Sequence, residues 1–135
     1  MTIATIETLK GRKMLHKAKS FFESRLEFVR GPFELKHMIE EGEKLNIIDV
    51  RSPEDYAKEH IPGAVNLPHD KWSTFKGLSK DRTNVVYCYT VVCHIATKAA
   101  KYFAEHDFPV IELQGGMEYW KKSNFPLESS EKTVA

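Results

Sequence analysis

Apolar side chains follow two rhythms along this chain. Between residues 5 and 24, Leu9, Leu15, Ala18, Phe21 and Phe22 recur at loosely helical intervals, with a break near Gly11. From residue 26 onward, short apolar runs alternate with helical stretches. LEFV (26–29) reads as a first strand, and Pro32 opens a helix that runs to Glu41 and stops at Gly42. NIIDV (46–50) is nearly continuous in apolar residues, the pattern of a parallel strand covered on both faces. Ser52-Pro53-Glu54-Asp55 then starts a brief helix, with serine as N-cap and proline at the first helical position.

The alternation continues to the C-terminus. Ile61-Pro62-Gly63 is a turn into the short strand AVNLP, and NVVYC (84–88) is a buried strand that ends on a cysteine. His94 to His106 carries Ile95, Ala99, Tyr102 and Phe103 at helical spacing. VIEL (110–113) is a last strand, and Gly115-Gly116 leads into a short helix containing Trp120. Strands alternating with helices predict an α/β domain in which a parallel sheet is covered on both faces. The organisation expected is a helical extension over 1–25, one domain over 26–128, and a polar tail over 129–135 that is free to fray.

Size and composition narrow the class without naming a function. A chain of 135 residues with 41% hydrophobic and 29% charged residues is an ordinary single-domain globular protein. A net charge of +1 gives no reason to expect a nucleic-acid partner. Charge is nonetheless uneven, since residues 1–30 hold seven basic side chains against three acidic ones. That surplus reads first as a solvated helix face, and second as a surface for an acidic partner or membrane headgroups. No apolar run has membrane-spanning length, so no membrane insertion is expected. The first residues lack the h-region of a secretory signal, so the expected location is cytoplasmic, with Cys88 and Cys93 as free thiols.

The segment VVYCYTVVCHIATKAAKYF concentrates the chemistry. Cys88 closes a buried strand a few residues before a helix begins, the junction at which open α/β sheets bind ligands. Peptide N–H groups of residues 89–94 and the helix N-terminus are expected to favour a thiolate there. From this segment alone, a reactive thiolate and an inert buried cysteine are equally consistent.

Three ordered motifs add to it. IIDVRSPEDYAKEHIPGAVNLP, a strand ending in cysteine, and LQGGMEYWKKSNFPL together resemble the rhodanese family over residues 26–128. The resemblance implies a three-layer α/β/α domain with a central parallel sheet of about five strands. It also implies a sulfurtransferase in which Cys88 attacks a sulfane-sulfur donor, carries the sulfur as a persulfide and passes it on. Donors would be a polysulfide, a protein persulfide or thiosulfate; acceptors would be a thiol, cyanide or a partner protein. The loop Tyr89, Thr90, Val91, Val92, Cys93 and His94 would bind the donor mainly through backbone N–H groups. Asp49 and Arg51 match positions that hold the fold together, with Glu59 the expected ion-pair partner of Arg51.

This chain departs from the family in the loop. Tyr89-Thr90-Val91-Val92-Cys93 lacks the usual glycine and basic residue, which favours a polysulfide or protein persulfide over the thiosulfate dianion. Cys93 reads as a small packing residue or, alternatively, as a resolving thiol. His94 reads as a surface or capping residue. Cys88, Cys93 and His94 with His60 or His69 match no zinc spacing, so no metal or other cofactor is expected.

Two other functions are compatible with this architecture. A rhodanese-like interaction module without catalysis would need no cysteine at position 88. A phosphatase of the dual-specificity cell-cycle type, which shares the architecture, needs an arginine six residues after the cysteine. That position is His94, and no arginine occurs from 83 onward. The sequence is silent on oligomeric state.

Overall fold

The computed structural model describes residues 3–131 of the chain, with side chains from Thr8. A helix α1 (Ile3–Phe28) runs directly into a two-residue strand β1 (Val29–Arg30). Helix α2 (Pro32–Glu40), strand β2 (Leu45–Asp49), helix α3 (Pro53–Lys58) and strand β3 (Val65–Asn66) follow. A 3₁₀ turn (His69–Thr74) leads to strand β4 (Thr83–Tyr87), helix α4 (Ile95–Glu105), strand β5 (Val110–Leu113) and helix α5 (Gly116–Lys122). The five strands form one all-parallel sheet in the order β1-β5-β4-β2-β3, as the alternating pattern predicts.

Side-chain alternation along the central strands builds two cores. Val85 and Tyr87 of β4 point to one face, where they pack with Leu35, Ile61, Met117 and Trp120. Val86 and Cys88 point to the other, against Ala96, Ala99 and Phe103 of α4. The period of two therefore sets Cys88 on the α4 side of the sheet, beside the start of that helix. Both tryptophans are core residues: Trp72 Nε1 donates to the Leu67 carbonyl and Trp120 Nε1 to that of Pro126.

Two expectations differ from the structure. Leu26, Glu27 and Phe28 belong to α1, not to a strand, and Leu26 is 77% exposed with no sheet neighbour to cover it. The helix also passes through Gly11 unbroken, since one glycine costs a helix only about 1 kcal/mol. At the start of the expected tail, the amides of Ser130 and Glu131 donate to the Ala57 carbonyl, and just before it His60 and Glu128 form an antiparallel bridge. Residues 132–135 of that predicted tail lie outside the described residues.

Helix α1 stands apart from the layers. Every residue from 8 to 28 except Gly11 is exposed, and the helix meets the domain at β1 and β5. Its end is fixed by Arg30, whose Nη1 donates to the carbonyls of Leu26, Glu27 and Val29. No described helix is long and apolar enough to cross a membrane.

Candidate active site

Cys88 is the residue immediately after β4, and the chain turns sharply beyond it. The Cys93 amide donates to the Thr90 carbonyl, closing the turn that delivers the chain to His94, the N-cap of α4. Two anchors hold the start of this loop. The Tyr89 hydroxyl donates to the Asp55 carboxylate and accepts from the Ser52 amide, which ties the ring to the N-terminus of α3. From the other side, the amides of Met117 and Glu118 in α5 donate to the carbonyls of Cys88 and Tyr89.

That second anchor explains the glycine pair. Gly115 and Gly116 both have positive φ, +80° and +54°. A Cβ on Gly116 would stand 2.3 Å from the Cys88 carbonyl oxygen, so only glycine lets α5 approach the loop. The tight turn beside the loop is thus as the sequence predicts.

Beneath the loop lies a buried polar network. Asp49 and Arg51, both almost without solvent contact, pair through Nε and Nη2 at 2.8–3.1 Å. Tyr87 donates its hydroxyl hydrogen to Asp49 at 2.6 Å and accepts from the Ile61 amide. The Arg51 partner was expected to be the Glu59 carboxylate. It is instead Asp49 together with the Glu59 backbone carbonyl, because the Glu59 side chain is turned outward to Lys121. The Arg51 guanidinium also lies 5.6 Å from the Tyr89 ring centre, so the network reaches the loop.

Cys88 opens into a cleft of about 230 Å³. Of the predicted loop residues, Thr90, Val91, Cys93 and His94 line it, whereas the Tyr89 and Val92 side chains face elsewhere. Four further polar residues, none marked by a local sequence signal, line it as well: Arg25 from α1, Thr97 from α4, Glu112 from β5 and Gln114 after it. Among the described residues no cluster of His, Cys, Asp and Glu is suited to a metal ion. His60 stacks on Tyr56 and His69 sits edge-on to Trp72.

The two thiols interact. The Cys88 thiol donates to the Cys93 carbonyl at 3.6 Å, and neither cysteine is in a disulfide. Burial above all, with the Cys93 thiol as a neighbour, pushes Cys88 up to about 12, against the help of the Ala96 and Tyr89 amides. Cys93 is partly buried too, which works to raise it. Hydrogen bonds from Cys88 and from the Ile95 and Tyr89 amides outweigh this and bring Cys93 below the ordinary thiol value. Of the amides 89–94 expected to favour a thiolate at Cys88, that of Tyr89 does so, together with Ala96 beyond the loop, and burial works against both. The Cys93 amide is committed to the turn, and of the two thiols Cys93 is the one with the lowered proton affinity.

Comparison with known proteins gives this arrangement its class. The model of the rhodanese-like domain family matches residues 32–123, and the chain belongs to that family. It is 33% identical over 107 residues to the thiosulfate sulfurtransferase GlpE of Pseudomonas fluorescens, covering 78% of this chain and 94% of that protein. It is 38% identical over 98 residues to the probable adenylyltransferase/sulfurtransferase MoeZ of Mycobacterium tuberculosis, covering 70% of this chain. The chain spans only about a quarter (25%) of the length of that much longer relative. Among solved structures, a protein from Bacillus halodurans superposes with a TM-score of 0.77 at 37% identity, covering 85% of this chain and 86% of that one.

Proposed function

We propose that the protein is a sulfurtransferase that carries sulfane sulfur as a persulfide on Cys88. The observation that carries this reading is the placement of Cys88 at the carboxyl end of a central strand. There it faces a cleft, and the amides of Tyr89 and Ala96 favour negative charge on its sulfur. Similarity to the thiosulfate sulfurtransferases of Pseudomonas fluorescens and Shewanella oneidensis supports the reaction class.

The chemistry is a double displacement. The Cys88 thiolate attacks the outer sulfur of the donor, forming a new S–S bond while the donor's own bond to that sulfur breaks. The leaving group departs with the electron pair, as sulfite does from thiosulfate. An acceptor thiolate or cyanide then attacks the terminal sulfur, and the Cys88 thiolate is released. The Cys88 proton passes to solvent before the attack, because Cys93, the thiol with the lowered proton affinity, is the weaker base of the pair.

The test is intact-protein mass after exposure to thiosulfate or, separately, inorganic polysulfide. A gain of one sulfur atom that is reversed by excess thiol and lost in Cys88→Ser supports the carrier. No gain from either donor overturns it and leaves the interaction-module reading, which the exposed apolar side chains Met14, Leu15, Phe21 and Phe22 of α1 favour.

A further inference from the structure

The loop after Cys88 has no cation, yet the cleft does. Arg25 reaches it from the last turn of α1, an element that precedes the matched family domain. The placement follows from local structure. β1 follows α1 without a linker and pairs with β5 through Val29↔Glu112 and Arg30↔Leu113. Arg30 grips the last carbonyls of α1, which fixes the helix end beside the carboxyl end of β5. Gln114 and Gly115, the residues after β5, line the same cleft as Cys88.

Its charge is uncommitted. Among the described residues Arg25 makes no ion pair and no side-chain hydrogen bond. The other charged group of the cleft, Glu112, accepts from the Thr97 hydroxyl at 2.7 Å and lies outside ion-pair distance of Arg25. His94 is the remaining titratable lining residue besides the two thiols. A planar guanidinium with five free donors, lining the same cleft as Cys88, fits an oxyanion or a persulfide anion.

The geometry points to Arg25 as the residue that recognises the negative charge of the sulfur donor. Helix α1 is thereby part of the active site and lends the family domain the cation its own loop lacks. The substrate class that follows is an anionic sulfane-sulfur donor, with thiosulfate included. This specificity role rests on the sulfurtransferase reading, whereas the field of Arg25 at Cys88 can be measured without it.

The experiment compares alkylation of Cys88 by iodoacetate, an anion, and by iodoacetamide, which is neutral, in a Cys93→Ala background where one thiol reports. The ratio of the two rates cancels the thiolate fraction and leaves the local charge. Arg25→Ala is expected to lower the iodoacetate-to-iodoacetamide ratio about five-fold at low salt. Arg25→Glu is expected to lower it further, and Arg25→Lys to restore most of it. Because Arg25 is exposed and unpaired, these variants are expected to keep the fold. In the full chain with Cys93 present, Arg25→Ala should raise the thiosulfate concentration needed for half-maximal loading about ten-fold, with a smaller change in the maximal rate. A ratio unchanged in all three variants overturns the assignment, whether or not sulfur is loaded. An altered ratio in a protein that loads no sulfur overturns the sulfurtransferase reading and leaves Arg25 as the cation of an anion site.

Discussion

At the residue scale, the most constrained position is a glycine. Any side chain at Gly116 meets the Cys88 carbonyl, and its φ of +54° is uncomfortable for other residues. Gly116→Ala is expected to cost about 1–3 kcal/mol, read as a lowered denaturation midpoint, and to slow sulfur loading because α5 no longer holds the loop. The cysteine pair makes a second prediction. In the native protein, alkylation should begin to rise at a pH below the ordinary thiol value, because Cys93 is held below it by hydrogen bonds. In Cys93→Ala the remaining thiol is buried and isolated, so its inflection should lie above that value. Identical pH profiles would mean that the thiols do not share a proton. Cys88 and the glycine pair were legible because a strand end and a double glycine are local signals. Arg25 was not, because one arginine on a helix rich in lysine and arginine carries no mark of what it faces.

At the element scale, legibility tracked how local the deciding force was. Strand β5 is bracketed by Pro109 and Gly115, and its observed span matches the predicted one. The start of β1 was misplaced by three residues, since LEFV has strand composition whether or not a neighbour is present. What ends α1 is Arg30, together with pairing to β5, a partner about eighty residues away in the chain that no local pattern announces. Arg30 does not line the cleft, so Arg30→Ala gives a clean test of this linkage. The last turn of α1 should fray, and the Cys88 alkylation ratio should fall in the same direction as in Arg25→Ala. In hydrogen exchange, amides between residues 8 and 24 should exchange well before those of β2 and β4, since that part of α1 has no packed face.

At the scale of the whole molecule, the Asp49–Arg51–Tyr87 network joins layers that apolar contacts serve separately. Asp49 reaches Arg51 and Tyr87 by side chain, and its carbonyl accepts from Leu67 and Asn66; Arg51 reaches Glu59. Asp49→Asn leaves a buried guanidinium without its counter-charge, and is expected to cost about 3–5 kcal/mol of global stability. Chemical denaturation measures this, and a change near zero would make the pair dispensable. The motif Asp-x-Arg was readable in the chain, but its partner was misjudged. Charge alone points to the Glu59 carboxylate, whereas the fold uses the Glu59 peptide oxygen.

The double tether of the Cys88 loop by α5 has a consequence for delivery. With the carbonyls of both Cys88 and Tyr89 held by the amides of Met117 and Glu118, Cys88 has no swinging arm. A sulfur loaded there can travel only as far as rotation about two short side-chain bonds, Cα–Cβ and Cβ–Sγ, allows. The recipient must therefore do the travelling and bring its own thiol into a cleft of about 230 Å³. Small molecules manage this easily, and so does a cysteine on a chain end or a slender loop. A cysteine set in the flat face of a folded protein does not, so the shape of the recipient becomes a filter applied before any chemistry begins.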